Sequence, residues 1–209
     1  MAVEEIHILH HTHVDVGYTD LQPVVYAKHV EYIGLALDYC RATDDYPDDA
    51  RFRWINEFSW PVKRFLEQRP DRAEHGIPYL SVSPNSMVSK PVIVARPFYW
   101  VGPGGGRALV WLTDWRKGWY GEGHVLGFPQ GFEVARRNVL DYLELLAREG
   151  YPWRVLALHL AADNYPPSRD LPDLVRSWNE TPGLPRMRIS TNCTFFERML
   201  EWHGDRQER

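Results

Sequence analysis

Ile6-His7-Ile8-Leu9-His10-His11-Thr12-His13-Val14-Asp15 is the stretch from which the fold is read. Its first four residues are a short, largely apolar run of the kind that forms a buried β-strand. Three histidines and a carboxylate follow where that strand should end. In α/β proteins the carboxyl ends of strands are where ligands usually bind. While the chain stays extended, His11, His13 and Asp15 alternate onto one face. Imidazole nitrogen and carboxylate oxygen both suit Zn²⁺ and similar ions, so His13 and Asp15 read as half of a metal site. The alternative is a polar, partly solvated strand end without a ligand, and spacing alone leaves both open.

Working outward, the pattern alternates between strands and helices. Thr19 or Asp20 is expected to cap a helix that tolerates Pro23 in its first turn. Val30, Ile33, Leu37 and Cys40 form its buried stripe, and it runs to about Arg41. Residues 44–49 are read as a solvated acidic loop. Phe52-Arg53-Trp54-Ile55 is expected to be a second strand, with Glu57 at its carboxyl end. Ser59 should cap a short helix with Val62, Phe65 and Leu66 inward. This rhythm of strand and helix predicts βα units around a parallel sheet.

The middle of the chain breaks the rhythm. Tyr79-Leu80-Ser81-Val82 and Val92-Ile93-Val94 read as short strands. Phe98-Tyr99-Trp100-Val101 and Ala108-Leu109-Val110-Trp111-Leu112 flank Gly102-Pro103-Gly104-Gly105-Gly106, a hairpin signal rather than a phosphate loop. Residues 114–124 form a long loop rich in glycine, aromatics and charge, suited to a sugar or to plain solvent. A helix over 133–149 ends at Gly150, a natural C′ residue. Val155-Leu156-Ala157-Leu158-His159-Leu160 reads as a strand covered on both faces, with His159 a core histidine. Asp163 follows at its end, as a second candidate for chemistry or as part of an Asp-Asn turn. A helix marked by Leu171, Leu174, Val175 and Trp178 with Asp170 as cap, a last strand Met187-Arg188-Ile189-Ser190, and a helix capped by Asn192 complete the chain.

Composition narrows the function classes. The 209 residues favour one domain, residues 1–209 as a whole, and 44% apolar content can build a core. A net charge of −4 without a long basic run argues against nucleic acid as a partner. The absence of a leader-like opening and of a long apolar run predicts a soluble, cytoplasmic protein without a membrane span. Cys40 and Cys193 lack metal-type spacing and argue for neither a disulfide nor a thiolate site. The 9 Trp and 11 Tyr suit a core or the flat face of a sugar ring.

Several stretches together resemble the catalytic domain of the glycoside hydrolase family 38 α-mannosidases. The likeness rests on His11-Thr12-His13-Val14-Asp15-Val16-Gly17-Tyr18, Trp54-Ile55-Asn56-Glu57 and Ala162-Asp163-Asn164-Tyr165-Pro166-Pro167. Trp178-Asn179 and Arg188-Ile189-Ser190-Thr191, followed by Phe195-Phe196, extend it over most of the chain. The resemblance implies a distorted, seven-stranded β/α barrel, here incomplete and interrupted by the hairpin. It implies retaining hydrolysis of α-mannosides or related glycans, assisted by a divalent metal, usually zinc. His13 and Asp15 map to metal ligands and Asp163 to the general acid/base. His11, Tyr18, Glu57, Trp115 and Asn164 are the expected carbohydrate-contacting residues.

Relative to that pattern the chain is shortened. Arg69-Pro70-Asp71-Arg72 passes almost directly to Glu74-His75-Gly76-Ile77, where the family has a long segment carrying its nucleophilic Asp. Asp71 and Asp114 are poor substitutes, and the sequence stops at Arg209, before a later metal-binding His is expected. Three functions therefore stand side by side. One is an α-mannosidase-type hydrolase. A second is a non-catalytic remnant that still binds carbohydrate. The third is another metal-dependent hydrolase, such as a deacetylase, with His11 or His124 as third ligand. Missing strands would leave sheet edges exposed, so a homo-oligomer is expected.

Overall fold

The computed structural model describes residues 3–57, 59–69, 97–101, 107–117 and 119–203. The strands read at 79–82 and 92–94, the glycine turn at 102–106 and Asp71 lie outside the described residues. The opening run forms β1 (Glu5–His10), whose six residues are all buried. It is the middle strand of a parallel sheet, flanked by β4 (Val155–Leu160) and β5 (Arg186–Ser190). Ile6 lies opposite Leu156 and Met187, and Ile8 opposite Leu158 and Ile189. These aliphatic residues share one face of the sheet and belong to the main core with Val139, Leu143, Val175 and Trp178.

The other face of β1 carries polar residues in the register of the pleat. Glu5 meets Arg188 (3.3 Å) and Arg198 (3.2 Å), and His7 Nε2 lies 2.8 Å from Glu5 Oε1. His7 Nδ1 is hydrogen-bonded to Ser190 Oγ at 2.8 Å, and Phe195 packs edge-on against the imidazole. Burying such groups is tolerated because Glu5 is ion-paired and His7 is hydrogen-bonded through Nδ1.

Between β1 and β4 run α1 (Gln22–Ala42), α2 (Ser59–Gln68), the antiparallel hairpin of β2 (Phe98–Val101) and β3 (Arg107–Val110), α3 (Glu122–Val125) and α4 (Phe132–Arg148). After β4 come α5 (Leu171–Glu180), β5 and α6 (Asn192–His203). The hairpin, the long helix ending at Gly150 (φ +74°) and the buried β4 match their sequence signals. Among the described residues no helix is long and apolar enough to cross a membrane.

Several local expectations are corrected. Phe52-Arg53-Trp54-Ile55 is not a strand of the sheet; Ile55 alone pairs with His11, donating its N–H to the His10 carbonyl at 2.9 Å. β5 flanks that side of β1 as far as Leu9, which leaves room only at the strand's end. Neither Thr19 nor Asp20 caps α1: Leu21 holds the N-cap position, and Asp20 Oδ1 accepts from the Leu21 N–H. The buried stripe of α1 is Val25, His29, Tyr32, Ile33 and Ala36, so Val30, Leu37 and Cys40 sit at its margin. Asp170 makes no side-chain cap to α5, and Thr191 Oγ1, one residue before Asn192, accepts the Thr194 N–H of α6. Asp49, read as part of a solvated loop, is buried and paired with Arg186.

The incomplete seven-stranded barrel is not seen among the described residues, which form an open, three-stranded parallel sheet beside the two-stranded hairpin. The outer edges of the parallel sheet are filled by side chains and loops instead of further strands. On β5, the Asn179 amide takes both backbone groups of Met187 (2.9 and 2.8 Å). Ile189 donates to the Asp49 carbonyl and accepts from Arg53. On β4, Glu122 Oε2 accepts the His159 N–H (2.9 Å), the Tyr120 carbonyl accepts from Ala161 (3.1 Å), and Tyr151 donates to the Val155 carbonyl (2.7 Å). Backbone groups that would otherwise template another strand are thus occupied.

Candidate active site

Past their regular ends, β1 and β4 stay side by side for one more step. His13 pairs with Asp163 in a parallel bridge: the His13 N–H donates to the Ala162 carbonyl (3.1 Å) and Asn164 N–H returns to the His13 carbonyl (2.8 Å). Directly paired residues share a face of the sheet, so the imidazole and the Asp163 carboxylate stand together at its carboxyl rim. Asp15, two residues on, joins them. One ligand atom from each of His13, Asp15 and Asp163 lies within 4.8 Å of the others.

The imidazole of His13 is fixed on two sides. Glu57 Oε1 lies 2.9 Å from Nδ1, while Glu57 Oε2 accepts the Val14 N–H at 2.7 Å. With both Glu57 oxygens accepting, the network assigns the proton to Nδ1. Tyr120 stacks on the ring face, centroids 4.3 Å apart and planes 20° from parallel. Nε2 then points toward Asp15 Oδ1 at 3.6 Å, too far for a hydrogen bond. A nitrogen lone pair and carboxylate oxygens facing one gap favour a cation between them. The Glu57 hydrogen bond raises the His13 pKa against the opposing effect of burial, and the charges of Glu57, Asp15 and Asp163 add to the rise. Burial raises the Asp15 pKa, offset by His13, and the neighbouring Asp163 and Glu57 raise it further. One nitrogen and two oxygen donors, with a second-layer carboxylate orienting the histidine, fit a divalent ion such as zinc.

Asn164 anchors the loop that carries Asp15. Its φ is +47°, in the left-handed region where Asn is tolerated. Its Oδ1 pairs with His29 Nε2 (2.7 Å), and its Nδ2 donates to the Asp15 carbonyl (3.0 Å) and to Thr19 Oγ1. Tyr32 donates to the Asn164 carbonyl at 2.8 Å. One buried amide therefore fastens the loop to α1 and to the β4 rim.

The remaining sequence candidates fall elsewhere. His11 is buried and pairs with His159 (3.0 Å) inside the sheet; burial pushes its pKa down to about 4. It is not in the cluster, nor is His124, which packs against Tyr165. Asp163 takes the third position for which those two histidines were considered. Tyr18 is 75% exposed on the loop after Asp15. Trp115, whose backbone alone is described, opens the 3₁₀ turn Trp115–Lys117. Asp114 is committed elsewhere: Arg116 clamps its carboxylate (2.7 and 3.0 Å) and Tyr142 donates to it (2.9 Å). Cys40 and Cys193 are free thiols. Tyr120, which also donates to Asp163 Oδ1 at 2.5 Å, escaped the sequence reading because nothing marks it among the aromatics of its loop.

No protein-family model and no curated protein matches the chain. Solved structures do. An α-mannosidase from Enterococcus faecalis superposes with a TM-score of 0.68 at 13% identity, over 95% of this chain and 29% of that one. A protein in glycosyl hydrolase family 38 from Enterococcus faecalis gives 0.59 at 13% identity, over 97% of this chain and 28% of the other. The chain spans less than a third of either structure. Nearly its whole length is similar in fold to part of these two proteins.

Proposed function

We propose that this chain carries the metal-binding rim of a glycoside hydrolase that acts on α-mannosides or related glycans. The observation behind the reading is the convergence of His13, Asp15 and Asp163 at the carboxyl end of the sheet, in a fold similar to family 38 structures. His13 and Asp15 would hold a divalent metal, which supplies Lewis-acid polarisation of oxygen atoms on the substrate. Asp163 is exposed, so it can meet a glycosidic oxygen and pass a proton to it. Tyr120 holds Oδ1, which leaves Oδ2 for that transfer. Exposed Tyr18 and Tyr165 border the same rim and offer flat faces to a sugar.

The three-ligand geometry favours a second reading. With Asp163 as third ligand, water would replace a protein nucleophile, as in metal-dependent hydrolases of another kind. Among the described residues no carboxylate is assigned as the nucleophile, because Glu57 is buried behind His13 and Asp114 is clamped by Arg116. The deciding experiment measures turnover of an aryl α-mannoside with added Zn²⁺ and, in parallel, the zinc affinity of D163N. Turnover with D163N affinity near wild type supports the first reading. Zinc affinity lowered about 10-fold or more in D163N supports the second. Absence of both turnover and zinc binding by the folded chain refutes both.

A further inference from the structure

Tyr120 lies in the 3₁₀ turn Trp119–Gly121, and its side chain touches both halves of the site at once. Its ring lies parallel to the His13 imidazole at 4.3 Å, and its hydroxyl reaches Asp163 Oδ1 at 2.5 Å. The residue is buried, and its own carbonyl accepts the Ala161 N–H on the edge of β4. Two residues on, Glu122 is fully buried and ties the Asp114 and His159 N–H groups together (2.7 and 2.9 Å). The turn is therefore bolted to the strand that delivers Asp163. A phenol serving only as core filler needs a polar partner, but not one aimed at the reactive carboxylate.

We propose that Tyr120 is the positioning residue that joins the two halves of this site, its hydroxyl fixing the Asp163 carboxylate and its ring fixing the plane of His13. This rests on the reading of the site given above and adds to it a residue outside the proposed ligands and acid/base. The imidazole is held in its plane by Glu57 and across its face by Tyr120, so Nε2 keeps one direction. The carboxylate is held through Oδ1, so Oδ2 keeps one direction toward the same space. Preorganising both groups removes conformational searching when substrate and metal arrive.

Y120F and Y120L separate the two contacts, because phenylalanine keeps the ring and loses the hydroxyl while leucine loses both. Zinc affinity is measured by competition with a chromophoric chelator, and the ligand geometry is read from the visible spectrum of the Co²⁺-loaded protein. Thermal melting checks that each variant is folded. With Y120L the zinc affinity is expected to fall about 10-fold or more and the Co²⁺ bands to shift. Y120F should restore most of that affinity, and on an aryl α-mannoside it should lower kcat about 10-fold with KM within about threefold. If wild type turns over no glycoside, the glycosidase reading fails, while the contrast between Y120L and Y120F in metal binding still decides the role of Tyr120. Wild-type zinc affinity and Co²⁺ spectrum in a folded Y120L would overturn the proposal and leave Tyr120 as packing alone. Should leucine prevent folding, Y120F with unchanged kcat and unchanged Co²⁺ spectrum overturns it equally.

Discussion

Replacing Glu57 with glutamine tests the link between fold and site most directly. The Glu57 side chain is 4% exposed, and each of its oxygens accepts one hydrogen bond, from His13 Nδ1 at 2.9 Å and from Val14 N–H at 2.7 Å. A glutamine has one acceptor and one donor end. If its oxygen turns to Val14, its NH₂ meets Nδ1 and forces the His13 proton onto Nε2, the nitrogen that faces Asp15. If its oxygen turns to His13, a buried Val14 N–H loses its acceptor, at a cost of about 1–3 kcal/mol. The first arrangement blocks the metal-binding nitrogen and the second strains the strand end that carries it. Loss of a carboxylate behind a ligating histidine typically lowers metal affinity about 10–100-fold, and that range is expected for E57Q. A destabilisation of about 1–3 kcal/mol corresponds to a melting temperature lower by roughly 2–12 °C at this chain length. The Glu57 bond is also the leading cause of the raised His13 pKa, so the metal-free imidazole should titrate at lower pH in E57Q and the pH dependence of zinc binding should change with it. Chelator competition across pH and a urea unfolding series measure both effects. A variant with unaltered zinc affinity, stability and pH dependence of zinc binding would refute the orientation argument.

Acid should unfold the chain through its buried neutral histidines. Burial pushes His10 to about 3 and His11 to about 4, whereas in the unfolded chain both titrate near 6.5. Their contribution is intact above the unfolded value and is lost as pH falls toward the folded values; each loses about 2 kcal/mol between pH 7.5 and 5.0. His13, with its raised pKa, works with the opposite sign and offsets part of this. Urea midpoints no lower at pH 5.0 than at 7.5 would count against the buried assignment. N164A should cost about 2–4 kcal/mol, from the positive φ and from the orphaned His29 partner, while N164G relieves only the backbone part. Melting curves rank the two, and equal losses would contradict the account. At Gly123 an added Cβ would sit 2.6 Å from Leu160 Cδ1 and 3.2 Å from Leu160 Cα, so G123A should lose about 1–3 kcal/mol in urea unfolding. A wild-type midpoint would show that the contact yields freely.

Among the legible strands, the clearest are those whose pattern records burial on both faces. β1 and β4 are wholly buried, and a continuous apolar run is the pattern such strands leave. The same pattern misled at Phe52-Arg53-Trp54-Ile55, because it reports burial and extension without naming a partner, and β5 already flanks that side of β1. Glu5 went unread because a carboxylate breaks the apolar run, yet three basic neighbours let it be buried. At the site, His13, Asp15 and Asp163 were visible as chemistry at the ends of two apolar runs. Asn164 was visible as a polar residue at one of those ends and Glu57 as one at the end of Phe52-Arg53-Trp54-Ile55, but their partners are set by contacts far along the chain. Tyr120 had no local signal at all, since its meaning lies in touching residues 13 and 163.

Edge protection and site assembly turn out to be one structure on the β4 side. An open parallel sheet of three strands must satisfy its outward N–H and C=O groups or offer them to another chain. On β5 this is done by Asn179, Asp49 and Arg53, and the Asn179 amide imitates a neighbouring strand at Met187. On β4 the cap is the segment 114–125: Glu122 takes the His159 N–H and the Tyr120 carbonyl takes the Ala161 N–H. The second of those bonds sets the height of Tyr120 along the strand, two residues below Asp163, and so aims its hydroxyl at that carboxylate. Closing the sheet with a loop is what lets a residue 107 positions from His13 in sequence stack on its imidazole.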